Sequence, residues 1–205
     1  MDADVHRSLV WLKEAGAELA EVKLARGRLS ATGSAIGADP LPYRLEYILV
    51  TGDDFTTSSL RVHTAGAGWA RTLELRRDGD GTWQILGDAE GLLDAPPPGG
   101  DATLYRDALD CDLALCPLTN TMPVLRHGLL DAGDPVDFQM VWVSVPDLAV
   151  HPSAQRYTPV RKSDDVSVVR YEDEDFRAEI VFDRDGLVVD YPGLARRVGR
   201  PSGVR

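Results

Sequence analysis

Apolar and polar residues alternate with period two along most of the chain, the pattern of strands that bury one face and expose the other. In "YRLEYILV", Tyr43, Leu45, Tyr47 and Leu49 share a face while Arg44 and Glu46 take the other. In "FRAEIVFD", Phe176, Ala178, Ile180 and Phe182 alternate with Arg177, Glu179 and Val181. The same pattern predicts strands over 58–64, 69–77, 82–86, 109–115, 138–145, 166–171 and 187–191. Asp-Gly pairs in "RDGDGTW" and "DRDGLV" place residues tolerant of positive φ between alternating runs, so both read as antiparallel hairpin turns. The stretch 87–101, "GDAEGLLDAPPPGGD", reads as a loop, because three consecutive prolines cannot donate to a ladder. Near the N-terminus "EAGAELAEVKLAR" is rich in helix formers, yet Gly16 and the alternation of Val22 and Leu24 against Glu21 and Lys23 favour strand. The expectation is one all-β, mainly antiparallel domain over 1–195 with few short helices. A basic, flexible tail over 196–205, with Arg196, Arg197, Arg200 and Arg205, is expected to follow.

Composition narrows the function classes. At 205 residues, 43% hydrophobic and 27% charged, the chain is an ordinary globular sequence able to bury a sizeable core. No apolar run approaches the roughly 20 residues of a membrane-spanning helix. The start, "MDADVHRSLVWLKEAG", lacks the basic and apolar blocks of a secretory leader, so the cytoplasm is the expected location. A formal charge of −11 opposes nucleic-acid binding through phosphate neutralisation. Cys111 and Cys116 lie too far apart on an extended strand for a disulfide and read as reduced, apolar packers. His6, His63, His127 and His151 are scattered without metal-ligand spacing, and there is no phosphate-binding loop, dinucleotide fingerprint or nucleophile elbow. Neither a cofactor nor an enzyme is therefore expected.

The densest chemistry is in "LDCDLALCPLTNTMPVLRHGL", 109–129. Asp110 and Asp112 sit two apart, which on a strand points both carboxylates the same way at about 6.6 Å between Cα atoms. Such a pair suits an acid and base of a hydrolase, but a same-strand pair leaves little room for a sugar, and a solvated or strand-capping role is favoured. In "PLTNTMP" the side chains of Thr119, Asn120 and Thr121 can bond nearby backbone and hold a bend between two prolines, or offer groups to sugar hydroxyls. In "WARTLELR" Trp69, Arg71, Leu73 and Leu75 share a parity, which sets an arginine on an otherwise apolar face. There it could meet an anionic or polyhydroxy head group beside an aromatic ring, or lay its stem over apolar surface. "FQMVWVSV" is apolar on both parities, as for a strand covered on both sides or one lining an apolar cavity.

At 109–129 the chain also resembles a known bacterial family, one named for glycolipid binding. "LDCDL" followed by "CPLTNTMPVLR" matches that family's Asp-x-Asp, Pro-x-Thr-Asn-Thr-x-Pro and Arg. The likeness extends in family order through "LVWLKEAGAE", "PYRLEYILV", "WARTLELRRDGDGTW", "VPDLAVHPSAQRYTPV" and "FDRDGLVVDYPGL". It implies a spiral β-roll, a curled antiparallel half-barrel, with a glycolipid or other amphiphile held in its concavity. The motif positions that carry over are Asp110, Asp112, Pro117, Thr119, Asn120, Thr121, Pro123 and Arg126. With Trp69 and Arg71 at a polar mouth, the expected ligand-binding residues are Trp69, Arg71, Asp110, Asp112, Asn120 and Arg126. The alternatives are a solid-core interaction domain and a hydrolase using Asp110 or Asp112.

Overall fold

The computed structural model describes residues 4–199. Strand makes up 59% of it and helix 9%, so the all-β expectation holds, and the strands form one curled, unclosed sheet. Seven strands run as an up-and-down meander: β1 (Val5–Lys13), β2 (Gly16–Ala25), β3 (Arg28–Gly37), β4 (Tyr43–Thr51), β5 (Thr57–Gly66), β6 (Trp69–Arg77) and β7 (Trp83–Gly91). Six more form a second, with β8 (Asp110–Leu113) beside its first strand: β9 (Val136–Val143), β10 (Val150–Lys162), β11 (Val166–Glu172), β12 (Arg177–Asp183), β13 (Val188–Tyr191) and β14 (Ala195–Val198). The meanders join where β1 pairs antiparallel with β14, so the first and last strands lie mid-sheet and β7 and β8 are its edges. β8 and β9 pair in parallel.

Alternation builds these strands as expected. Burial switches at every position of β4, and β6 turns Trp69, Arg71, Leu73 and Leu75 inward. The β6–β7 turn closes through Asp78 N–H to Thr82 O at 2.9 Å, with Gly81 at φ +91°. The β12–β13 turn has Gly186 at φ +78° and Asp183 N–H bonded to Leu187 O at 3.0 Å.

Besides β3 (Arg28–Gly37), for which the alternation predicts no strand, three more differ from the sequence reading. β7 runs through the first five residues of the predicted loop, because over 87–91 its outer positions, Asp88 and Glu90, are polar and its inner ones, Gly87, Ala89 and Gly91, small, leaving no apolar period to read. β10 contains Pro152 and Pro159, which argue against a central strand, but a register shift between Pro159 and Arg161 relieves the missing donor. β14 takes Arg196 and Arg197 into the sheet, and Arg197 Nη1 meets Asp183 Oδ2 at 2.7 Å, so the basic tail begins inside the fold. Arg200 and Arg205 lie outside the described residues.

The curl brings the two edges together. The chain leaving β7 crosses to the β9–β10 turn, where Gly99 N–H donates to Leu148 O and Val150 N–H to Gly99 O, both at 2.9 Å. A Cβ on Gly100 would lie 2.6 Å from Val150 O, so only glycine permits this approach. The outer edge of β8 then meets the start of β5: Thr57 N–H donates to Leu109 O at 3.0 Å, and Cys111 N–H to Thr57 Oγ1 at 3.0 Å. Behind β8 a 3-10 turn (Pro117–Asn120) leads into a short helix, α1 (Thr121–Arg126), the one α-helix among the described residues. This segment plugs the roll. Leu118 and Met122 join the core lined by β1–β6, and Val124 joins a second core with Tyr157, Ile180 and Phe182.

Candidate functional site

The motif residues of 109–129 converge inside the fold. Asp110, carried by β8, faces Arg126 at the end of α1 in a two-pronged ion pair: Arg126 Nη1 donates to Oδ1 at 2.8 Å and Nη2 meets Oδ2. The carboxylate is 1% exposed and the guanidinium side chain 8%. Burial raises the Asp110 pKa, and the Arg126 hydrogen bonds and charge only partly offset it. The Arg126 guanidinium carbon also lies 6.0 Å from the Phe138 ring centre.

Asp112 has separate partners. Thr119 Oγ1 donates to Oδ1 at 2.8 Å and Gln155 Nε2 to Oδ2 at 2.7 Å. Burial raises its pKa as well, against those two hydrogen bonds. From Gln155 the network continues to Tyr157, whose hydroxyl donates to Asn120 Oδ1 at 2.9 Å, while Asn120 Nδ2 donates to Pro117 O at 3.3 Å. Asp110 with Arg126, and Asp112 with Asn120, thus form two separate networks along a polar seam that binds the plug to β8 and β10. Each oxygen of both aspartates has a protein partner, which is a framework arrangement rather than a pair of carboxylates opened to a glycosidic bond.

A second buried polar cluster has no motif to announce it. Glu18, pointing inward from β2, meets Lys13 Nζ at 2.5 Å, accepts from Tyr47 Oη at 2.8 Å, and lies 3.3 Å from Cys116 Sγ. Tyr47 reaches it because Gly33, its register partner on β3, leaves room: a Cβ there would overlap the Tyr47 ring. A charged residue on an inward parity flanked by glycines across the sheet was the available signal. Burial pushes the Cys111 thiol up to about 12, and burial with the Glu18 charge raises Cys116, so neither thiol is prepared as a nucleophile.

Trp69 and Arg71 stand apart from this seam, on the inner face of β6. The Arg71 guanidinium donates to four carbonyl oxygens: Pro96, Asp147 at 3.0 Å, Leu93 at 3.2 Å and Ala95 at 3.3 Å. It stitches the edge-crossing chain and the β9–β10 turn to the first meander. Trp69 packs flat over Gly66, its cross-strand partner. Neither residue lies at an open mouth. The concavity that was expected to hold a ligand is lined instead by the chain's own Leu113, Leu118 and Met122, each at most 1% exposed.

Open space lies on the outer face of the first meander. A trough of about 440 Å³ runs across β4–β7. Two cross-strand rows line it. Glu46, His63, Thr72 and Asp88 are successive register partners, as are Ile48, Arg61, Glu74 and Leu86. Ile48 and Leu86 are 48% and 63% exposed, an apolar anchor at each end of the second row. Between them Glu74 Oε1 holds Arg61 Nε at 3.0 Å and Arg76 Nε at 2.6 Å, and those two arginines keep its carboxyl below the usual range. A neighbouring groove of about 360 Å³ over β1–β4 shares Ile48 and adds His6, Ser8, Lys23 and Val50.

Among the described residues no group of three or more His, Cys, Asp or Glu is placed to hold a metal, and no helix is long and apolar enough to cross a membrane. A family described as "Putative glycolipid-binding" matches residues 8–197. The fold is similar to the crystal structure of a DUF1089 family protein from Pseudomonas aeruginosa, with a TM-score of 0.66 and 30% identity over 88% of this chain and 92% of that one. No curated protein matches.

Proposed function

The chain belongs to the glycolipid-binding family, and from that premise we propose that it binds an amphiphile without transforming it, on the outer face of the first meander. The observation that carries this reading is the trough over β4–β7, with exposed Ile48 and Leu86 on one row and hydrogen-bonding side chains on the next. An amphiphile needs both: apolar contact for its chain and fixed donors and acceptors for its head. The interior offers neither, since the plug fills it and Arg71, Asp110 and Asp112 are bonded within the protein. A second reading, an interaction domain, is favoured by exposed Val10, Leu12, Leu19 and Ile36 on neighbouring strands.

Native mass spectrometry of gently purified protein should retain a bound lipid, and a fluorescent long-chain probe should be displaced by alkyl glycosides but poorly by free sugars. Each buried methylene contributes about 0.8 kcal/mol, whereas sugar hydroxyls exchange water for protein. Ile48→Asp and Leu86→Asp, both at exposed positions, should abolish probe binding without lowering stability. Unchanged binding in both variants refutes the trough as the site.

A further inference from the structure

Resting on the trough as the amphiphile site, we infer that it selects the charge of the head group: it accepts neutral or ammonium-bearing sugar heads and rejects anionic ones. The polar row is Glu46, His63, Thr72 and Asp88, one residue from each of four adjacent strands. Its two ends are carboxylates, and neither Glu46 nor Asp88 has an ion-pair or hydrogen-bonding side-chain partner among the described residues. They are acceptors held ready for donors from outside. The nearest cations able to attract an anion are already committed, because Arg61 and Arg76 both bond Glu74 on the next row. With Glu46, Glu74 and Asp88 against Arg61, the lining carries two net negative charges, reduced to one by Arg76 beside it on Glu74, and the chain's formal −11 adds a field of the same sign. Sugar hydroxyls or an ammonium can donate to such a row; a phosphate or carboxylate would bring acceptors to acceptors and charge to like charge.

Three amphiphiles with one alkyl chain and one ring separate head-group charge from everything else: dodecyl glucoside, dodecyl glucosaminide with its ammonium, and dodecyl glucuronide with its carboxylate. Titrated as monomers at low salt, the glucuronide should bind at least about fivefold more weakly than the glucoside, and the glucosaminide at least as tightly as the glucoside. Raising ionic strength should narrow these gaps, since the carboxylates are exposed. The Glu46→Gln, Asp88→Asn double variant should close most of the gap between glucoside and glucuronide. Equal or tighter glucuronide binding, or a gap unmoved in the double variant, overturns head-group selection while leaving amphiphile binding intact. If none of the three binds, or if Ile48→Asp and Leu86→Asp bind all three unchanged, the trough reading falls and this inference with it.

Discussion

Replacing Arg126 with methionine tests whether one buried ion pair secures the 109–129 plug. Methionine keeps much of the apolar stem and removes only the guanidinium that faces Asp110 with two nitrogens. With the Asp110 side chain 1% exposed, the carboxylate left behind cannot regain water unless the core opens. Breaking a buried pair by removing one partner costs about 3–5 kcal/mol, a large share of the roughly 5–15 kcal/mol that keeps a domain folded. The loss should also depend on pH. Burial already raises the Asp110 pKa in the intact pair, and losing Arg126 removes the main opposing influence, so the carboxyl is expected to enter the core protonated. The folded state then holds a proton that the unfolded chain releases near the ordinary carboxylate pKa of about 4. Stability is greatest below that value and declines as pH rises through the raised folded pKa. Arg126→Met should therefore lie nearest the parent in mild acid and furthest from it at neutral pH. Urea unfolding followed by tryptophan fluorescence across that range measures the difference, with an unchanged m-value showing that compactness is preserved. An added Asp110→Asn, which takes away the stranded charge, should recover part of the neutral-pH loss. A neutral-pH cost below about 1 kcal/mol, a pH-independent cost, or no recovery in the double variant would each refute the reasoning.

Three further outcomes follow from the packed interior. Arg71→Ala should cost about 1–3 kcal/mol by leaving four carbonyls without their donor, and should expose the 92–100 chain to protease while amphiphile affinity stays at the parental value. Gly33→Ala should cost about 1–3 kcal/mol by driving a methyl into the Tyr47 ring, and the cost should largely vanish in a Tyr47→Ala background; an undiminished cost would point to backbone strain instead. Cys111 and Cys116, buried and with raised pKa values, should react with a thiol reagent only as fast as the protein unfolds, so a rapid native reaction would reveal local opening of the plug.

The fold was legible wherever strand parity matched residue chemistry. β4 and β6 alternate without interruption, and Asp-Gly marked both tight hairpins. β3 escaped notice because after Leu29 its inner positions are Ala31, Gly33, Ala35 and Gly37, of which Gly33 and Gly37 admit the Tyr47 and Tyr43 rings from the next strand, and all are too weakly apolar to show a period. β10 was hidden by Pro152 and Pro159, the second of which sits beside a bulge. Within 109–129, the chemistry that looked most like a binding site was partner-seeking within the chain: Asp110 and Arg126 are 16 residues apart, and Asp112 and Gln155 43 apart. No local spacing foretells such pairs, because the sheet's curl creates them.

This internal pairing accounts for the inner face, and the outer face is the one left uncovered among the described residues. A single sheet has two faces, and a curled one must fill the inside of the curl before it is stable. Here the filling comes from the chain between β7 and β9: the segment after β7 and the 3-10 and α1 plug after β8 lie against the inner face, and their polar groups find partners there. The inward residues of β4–β7 are thereby committed to packing. Their outward neighbours, one position along each strand, meet no second layer among the described residues, so apolar side chains such as Ile48 and Leu86 stay exposed. The wide polar and apolar rows of the trough are the direct product of that one-sided filling, and substitutions there should change binding while leaving stability near the parental value. Substitutions on the opposite parity should do the reverse. A set of paired variants along β4–β7, such as Leu86→Asp against Leu73→Ala, separates the two faces by that criterion: the first should lose ligand at parental stability, the second should lose about 2–5 kcal/mol of stability with any surviving folded protein still binding. If the outward variant unfolds the protein, or the inward one abolishes binding without destabilising it, the division of labour between the faces is wrong.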